Sequence, residues 1–113
     1  MAYNSELAKR LEDLVNKTFA DSRAFEENTM MVGFGYMLNG NMVFGVFKDW
    51  LILRVGKETA EELLIEQHVK PMDITGRVMR AWVMVSLDGL KQTKALKNYC
   101  SLAIDFVDTL PAK

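Results

Sequence analysis

The chain has 113 residues, of which 50% are hydrophobic and 26% charged; this composition is typical of one folded domain and excludes a disordered tail. Fourteen basic and fifteen acidic residues give a net charge of −1, so no general attraction to nucleic acid or to an anionic membrane is expected. One cysteine and one histidine exclude a disulfide scaffold and a histidine-based zinc site. We predict a single domain over residues 1–113 that binds no cofactor.

A cytoplasmic location is expected, because residues 1–13 mix charged residues with leucines and lack the continuous apolar segment of a signal peptide. Residues 28–47 carry no formal charge and have the length of a membrane span. Asn39-Gly40 at their centre is typical of a hairpin turn, however, and would interrupt a helix. No membrane contact is therefore predicted.

The first predicted element is an amphipathic helix over about residues 5–19, where leucines recur at helical spacing between charged residues. Asn4 or Ser5 is expected to cap this helix. The polar residues 21–28 are interpreted as a connection that leads to the sheet.

Three strands are predicted next, over residues 30–38, 41–48 and 50–55. Asn39-Gly40 joins the first two strands in a tight turn, whose two central residues both need positive φ. Lys48-Asp49 is predicted as a second turn.

A short helix is predicted over about residues 60–67, because Thr59-Ala60-Glu61-Glu62 has the pattern of a capping box. His68 then lies near the C-terminal end of this helix, where the helix dipole favours an imidazolium. We prefer that interpretation to a general base, since Gln67 and Val69 offer no partner for one.

The remaining predicted elements are strands over residues 69–75 and 78–85 and a helix from Asp88, as its N-cap, to Leu110. Pro71 places the first of these strands at a sheet edge or a strand start, because proline has no N–H to donate. The order α-β-β-β-α-β-β-α predicts a two-layer α+β domain with a five-stranded antiparallel sheet.

The hairpin turn determines which side chains share a face of the sheet. A regular register predicts the pairs Leu38–Asn41, Tyr36–Val43, Phe34–Gly45 and Val32–Phe47. One face then carries Val32, Phe34, Tyr36, Leu38, Val43 and Phe47. The opposite face carries Met31, Gly33, Gly35, Met37, Met42, Phe44 and Val46.

Both faces of this hairpin are apolar, whereas an antiparallel sheet usually leaves one face in water. The three predicted helices can cover one face of the sheet but cannot easily cover both faces. The second face is therefore expected to contact another copy of the chain, as a homodimer, or a different protein. The alternative is that the N-terminal helix curls over part of it.

Few residues suggest catalysis. Cys100 lies on the apolar stripe of the last helix, where a free cysteine is an inert small side chain. Acidic residues occur at adjacent positions, which point in different directions on a helix. Lys91, Lys94 and Lys97 form a basic stripe that either solvates the helix or holds an acidic partner. We predict a protein that is not an enzyme and holds no metal.

The run Met30-Met31-Val32-Gly33-Phe34-Gly35-Tyr36-Met37-Leu38-Asn39-Gly40-Asn41-Met42-Val43-Phe44, followed by Trp50-Leu51-Ile52-Leu53-Arg54-Val55, resembles the N-terminal domain family of the TfoX competence regulators. The family pattern is a Met-Phe-Gly-Gly-aromatic-Gly strand, an Asn-Gly or Asp-Gly turn and a Leu-Tyr-Leu-Lys-Val strand. The chain departs from it at Met31, Val32 and Arg54. The resemblance implies a secretion-chaperone-like fold, a link to regulation of DNA uptake in bacteria, and no catalytic residues.

Two functions are compatible with these features. The first is a non-catalytic interaction module, which binds a protein and not nucleic acid. Its candidate contact residues are Met31, Gly33, Phe34, Gly35, Tyr36, Met42, Phe44, Arg54 and Trp82. The alternative is a small-molecule-binding domain, with a pocket walled by Met31, Met37, Phe44 and Trp82.

Overall fold

The computed structural model describes residues 3–17, 25–30, 33–73, 76 and 79–111. The elements follow in the order α1 (Ser5–Lys17), β1 (Phe25–Met30), β2 (Gly33–Leu38), β3 (Asn41–Phe47), β4 (Trp50–Arg54), α2 (Lys57–Leu63), β5 (Val69–Met72), β6 (Met79–Ser86) and α3 (Thr93–Val107). A 3₁₀ turn at Leu87–Leu90 precedes α3. These elements confirm the predicted α+β class.

The sheet of the described residues has six strands in the order β1-β2-β3-β4-β6-β5, and all neighbouring strands are antiparallel. The prediction of five strands was therefore wrong by one. The additional strand, β1, begins at Phe25 inside the segment interpreted as a connection, and pairs with β2 from Phe25–Leu38 to Met30–Gly33. A strand at a sheet edge tolerates polar residues, so its polarity misled the prediction. At the other edge, Pro71 lies in β5 as expected.

The hairpin turn is confirmed, since Asn39 and Gly40 have φ values of 55° and 81°. The register beyond it differs from the prediction, because a β-bulge at Val43 adds one residue to β3. The pairs are Leu38–Asn41, Met37–Met42, Tyr36–Phe44, Gly35–Gly45 and Phe34–Val46. As a bulge displaces the alternation by one residue, Phe44 and Val46 join the core, and Phe47 lies on the opposite face.

Asn4 caps α1 and fastens it to the sheet. Its side-chain oxygen accepts a hydrogen bond of 2.9 Å from the N–H of Leu7, as expected for an N-cap. Its amide Nδ2 donates to Asp49 at 3.0 Å, and its backbone N–H donates to the carbonyl of Lys48 at 2.7 Å. The start of α1 is thus held against the turn between β3 and β4.

The beginning of α2 does not use the predicted capping box. The helix begins at Lys57, so Thr59 lies inside its first turn, and no side chain caps it. The preceding residue, Gly56, has a φ of 87°, and a Cβ at this position would lie 2.6 Å from the ring of Phe106. A backbone conformation that requires glycine, and not a capping side chain, therefore positions α2. The helix also ends at Leu63, before the predicted end.

The beginning of α3 also differs from the prediction, because Asp88 lies in the 3₁₀ turn and is not its cap. Asp88 instead lies 3.9 Å from Lys91, as an exposed ion pair. The guanidinium of Arg10 donates a hydrogen bond of 2.5 Å to the carbonyl of Leu90, which connects the 3₁₀ turn to α1.

All three helices of the described residues contribute buried side chains to one core on the same face of the sheet. From the helices this core includes Leu7, Leu11, Leu14, Ala60, Leu63, Leu96, Cys100, Ala103 and Val107. From the strands it includes Tyr36, Leu38, Val43, Phe44, Val46, Leu51, Leu53, Val83 and Val85. We call this the helix-covered face.

Candidate functional site: the helix-free face of the sheet

A second apolar cluster lies on the opposite side of the sheet, and we call it the helix-free face. Its members are Phe47, Trp50, Ile52, Met72, Met79, Trp82 and Met84. Strand alternation separates the two faces, since Leu51 and Leu53 of β4 belong to the helix-covered core. The register places Ile52 beside Met84, and Arg54 beside Trp82. No helix of the described part of the chain contributes to this cluster.

The helix-free face is buried at its centre and partly exposed at its margin. Ile52 is fully buried, and Met72 and Met84 are 5% and 6% exposed. The four residues packed around them are only partly buried: Phe47, Trp50, Met79 and Trp82. Both tryptophans of the chain thus lie at this margin. A partly exposed rim of large aromatic side chains is typical of a surface available for binding.

Each aromatic ring of this margin has a cation over it. The ammonium of Lys48 lies 5.4 Å from the ring centre of Phe47, and that of Lys70 lies 5.1 Å from Trp50. The guanidinium of Arg54 lies 5.8 Å from the ring of Trp82. Such contacts contribute about 0.5–1 kcal/mol each at exposed sites. They give an apolar surface a positively charged border.

Arg54 is buried in part without being fully satisfied. Its Nε is inaccessible to solvent and has no hydrogen-bond partner. A buried donor that lacks an acceptor costs about 1–3 kcal/mol. The strand therefore holds this guanidinium beside Trp82 at a cost in stability.

A family model described as the TfoX N-terminal domain matches residues 17–107. The chain belongs to the TfoX N-terminal domain family. The match includes all six described strands and extends to the last residue of α3, whereas only the last residue of α1 lies within it. The resemblance recognised in the sequence is therefore confirmed. Comparisons with curated proteins and with solved structures found no match.

The candidate contact residues of this TfoX N-terminal domain lie in different parts of the sheet. Arg54 and Trp82 are cross-strand neighbours on the helix-free face. In the hairpin of β2 and β3, Gly35 pairs with Gly45, and Met42 pairs with Met37. Gly33 lies at the start of β2, and Met31 is outside the described residues. The contact role of these residues stays a prediction.

The aromatic candidates lie instead on the helix-covered face, where their rings contact one another. The ring centres of Phe34 and Tyr36 are 5.3 Å apart, and those of Tyr36 and Phe44 are 6.0 Å apart. Phe44 is fully buried and Tyr36 is 3% exposed. The expected position of Phe44 on the second face was wrong because the bulge at Val43 reverses the alternation.

Sequence reasoning missed Trp50, Phe47 and Lys70 as members of the site. The alternation Trp50-Ile52-Arg54 in β4 was a usable signal, because it places an aromatic and a basic residue on the face opposite Leu51 and Leu53. The position of Lys70 opposite Met84 depends on the strand order, which the sequence does not contain.

The reactive side chains lie apart from this surface. Cys100 is fully buried among apolar groups, and burial raises the pKa of its thiol. Burial, together with a hydrogen bond that Tyr99 donates to Glu66, raises the pKa of Tyr99 to about 12. Within the described residues no three His, Cys, Asp or Glu side chains are grouped as a metal site. None of the helices in this part combines the length and apolar character required to cross a bilayer.

The predicted small-molecule pocket does not form as expected. Phe44 and Trp82 lie on opposite sides of the sheet, so they cannot wall one cavity. Trp82 instead lines a cavity of about 220 Å³ between α2 and β6, together with Glu61, Leu64, Pro71, Met79 and Arg80. Typical ligand pockets occupy about 300–1,000 Å³.

Proposed function

We propose that this TfoX N-terminal domain is a non-catalytic interaction and regulatory module that binds a protein partner through its helix-free face. The observation that carries the proposal is the partly exposed aromatic margin with a cation over each ring. Tryptophan, tyrosine and arginine provide most of the binding energy at protein interfaces. Two tryptophans and an arginine lie on this face.

The net charge of the chain supports a protein partner over nucleic acid. The whole chain has a net charge of −1, so a phosphate backbone gains little from long-range attraction. Local cations beside apolar rings instead suit a protein surface with apolar anchors and a few carboxylates. We place this activity in the cytoplasm of a bacterium and, through the family, in the regulation of DNA uptake.

Partner capture with matched surface variants tests the proposal. Wild-type protein, Trp50→Ser and Leu102→Ser are immobilised and exposed to lysate of the source organism. Leu102 is the control, because it is 37% exposed on α3, away from the helix-free face. We expect Trp50→Ser to retain a captured partner about tenfold less well, as loss of a large aromatic anchor does. Equal retention by Trp50→Ser and by the wild type contradicts the proposal.

A further inference from the structure

Leu64 and Ile65, which follow α2, are unusually exposed. Leu64 is 38% exposed and Ile65 is 87% exposed, the largest value among the large apolar side chains of the described residues. Backbone hydrogen bonds hold the turn, from Glu66 to the carbonyl of Leu63 at 2.9 Å and from Ile65 to that of Glu62 at 3.4 Å. Tyr99 also donates a hydrogen bond to the side chain of Glu66. An ordered turn therefore presents Ile65 to solvent. A contact with this side chain requires little further ordering of the backbone.

An apolar cavity lies next to this exposed side chain. Leu64, the neighbour of Ile65, lines the cavity of about 220 Å³ together with Pro71, Met79 and Trp82. A projecting isoleucine and a recess of apolar side chains thus occur side by side on one edge of the molecule. Because Trp82 belongs to the helix-free face, this edge continues that surface.

The same cavity carries both signs of charge. Glu61 and Arg80 line it, yet neither forms an ion pair with another described residue, in contrast to Asp88 and Lys91. A surface of one sign would suit a partner of the opposite sign. A surface with both signs complements a rotated copy of itself, because a two-fold axis brings each group against the other's counterpart.

We infer that a second copy of this chain docks on this edge through a two-fold axis. Ile65 of each copy enters the Leu64–Trp82 cavity of the other, and Glu61 of each copy faces Arg80 of the other. This inference rests on the proposed function, because it assigns one end of the helix-free face to self-association. Trp50 lies at the other end, four residues from Arg54 along β4, and stays available to a different protein.

Sedimentation velocity of the full chain over a range of concentrations tests the inference. We expect a dimer at high micromolar concentration and an increase of about tenfold or more in the dissociation constant for Ile65→Glu. Leu102→Glu is the matched control, because it places the same charge at another exposed apolar residue. Wild-type protein that is monomeric throughout, or equal effects of the two substitutions, overturns the inference.

Charge reversal tests the two-fold geometry independently. Glu61→Arg and Arg80→Glu are each expected to weaken the dimer, because each places like charges against each other. The double variant E61R/R80E is expected to restore the dimer, because opposite charges then face each other again between the two copies. Both residues are exposed, so folding is expected to be retained, and circular dichroism checks this. A double variant as weak as the single ones overturns the arrangement.

Tryptophan fluorescence distinguishes failure of this inference from failure of the proposed function. Trp50→Phe leaves Trp82 as the reporter and leaves the docking cavity unchanged. Self-association of this variant is expected to protect Trp82 from acrylamide quenching by at least twofold. A dimer that leaves Trp82 as accessible to acrylamide as in the monomer overturns the second-copy inference. Partner capture that ignores Trp50→Ser rejects the proposed function whatever the oligomeric state.

Discussion

Both faces of the sheet are apolar, but their large side chains differ in what covers them. On the helix-covered face, Phe44 and Leu53 are fully buried beneath the helices. On the helix-free face, Trp50 and Trp82 remain partly exposed, and a basic side chain lies over each ring. Hydrophobicity alone therefore does not separate the covered face from the partly exposed one. A long basic side chain laid over an aromatic ring marks the partly exposed face, because its charged end keeps the border of the ring hydrated.

The largest expected contrast is between two phenylalanines of β3 on opposite faces. Phe44→Ala is expected to lower the free energy of unfolding by about 3–5 kcal/mol, because it leaves a cavity in the fully buried core. Phe47→Ala is expected to cost less than about half of that, since its ring is only partly buried. Urea denaturation measures both. Equal losses would mean that the helix-free face is as much a core as the other.

Gly56 and Gly76 sharpen the contrast between a packed and an open position. Both have positive φ, at 87° and 82°, which costs about 1–2 kcal/mol in any other residue. A Cβ on Gly56 also meets Phe106 at 2.6 Å, whereas one on Gly76 meets nothing within 4 Å. We expect Gly56→Ala to lower the free energy of unfolding by about 3 kcal/mol, and Gly76→Ala to lower it by about 1 kcal/mol. Similar melting temperatures for the two variants would refute the clash.

Substitutions of Arg10 and Arg54 are expected to have the smallest effects on stability, and the two effects are expected to differ. Arg10→Met removes the hydrogen bond to Leu90 on the helix-covered side and is expected to cost about 1–2 kcal/mol. Arg54→Met removes a cation over Trp82 but also an unpartnered buried donor. The two contributions offset each other, so stability is expected to stay within about 1 kcal/mol of the wild type. Denaturant unfolding of both variants is the measurement, and a larger loss at Arg54 would assign this residue to folding.

Local chemistry was sufficient to predict several elements of this fold. Three correct predictions rest on single residues or on residues adjacent in sequence. They are the positive φ values of Asn39-Gly40, the capping oxygen of Asn4 and the missing N–H of Pro71. Each of these features is present. Arg54 and Trp82 were both named as candidate contact residues, but their cross-strand pairing depends on the strand order and was not predicted.

The features that were not predicted depend on contacts distant in sequence. Nothing in residues 25–30 requires a strand until β2 lies beside them. Helix α2 begins directly after Gly56, where Phe106, fifty residues along the chain, leaves no room for a Cβ. Phe44 was placed on the wrong face because Val43 and Phe44 are both apolar, and the pattern of hydrophobicity does not reveal which residue is the extra one.

The bulge at Val43 sets a rule for aligning relatives of this chain. A relative with one residue fewer between its hairpin turn and the glycine equivalent to Gly45 would lack the bulge and would keep the residue before that glycine opposite Tyr36. An alignment with the gap elsewhere would instead put a core residue of one protein in the same column as a residue of the opposite face in another. Gaps in such an alignment belong at position 43, and conservation is best compared face by face after that placement.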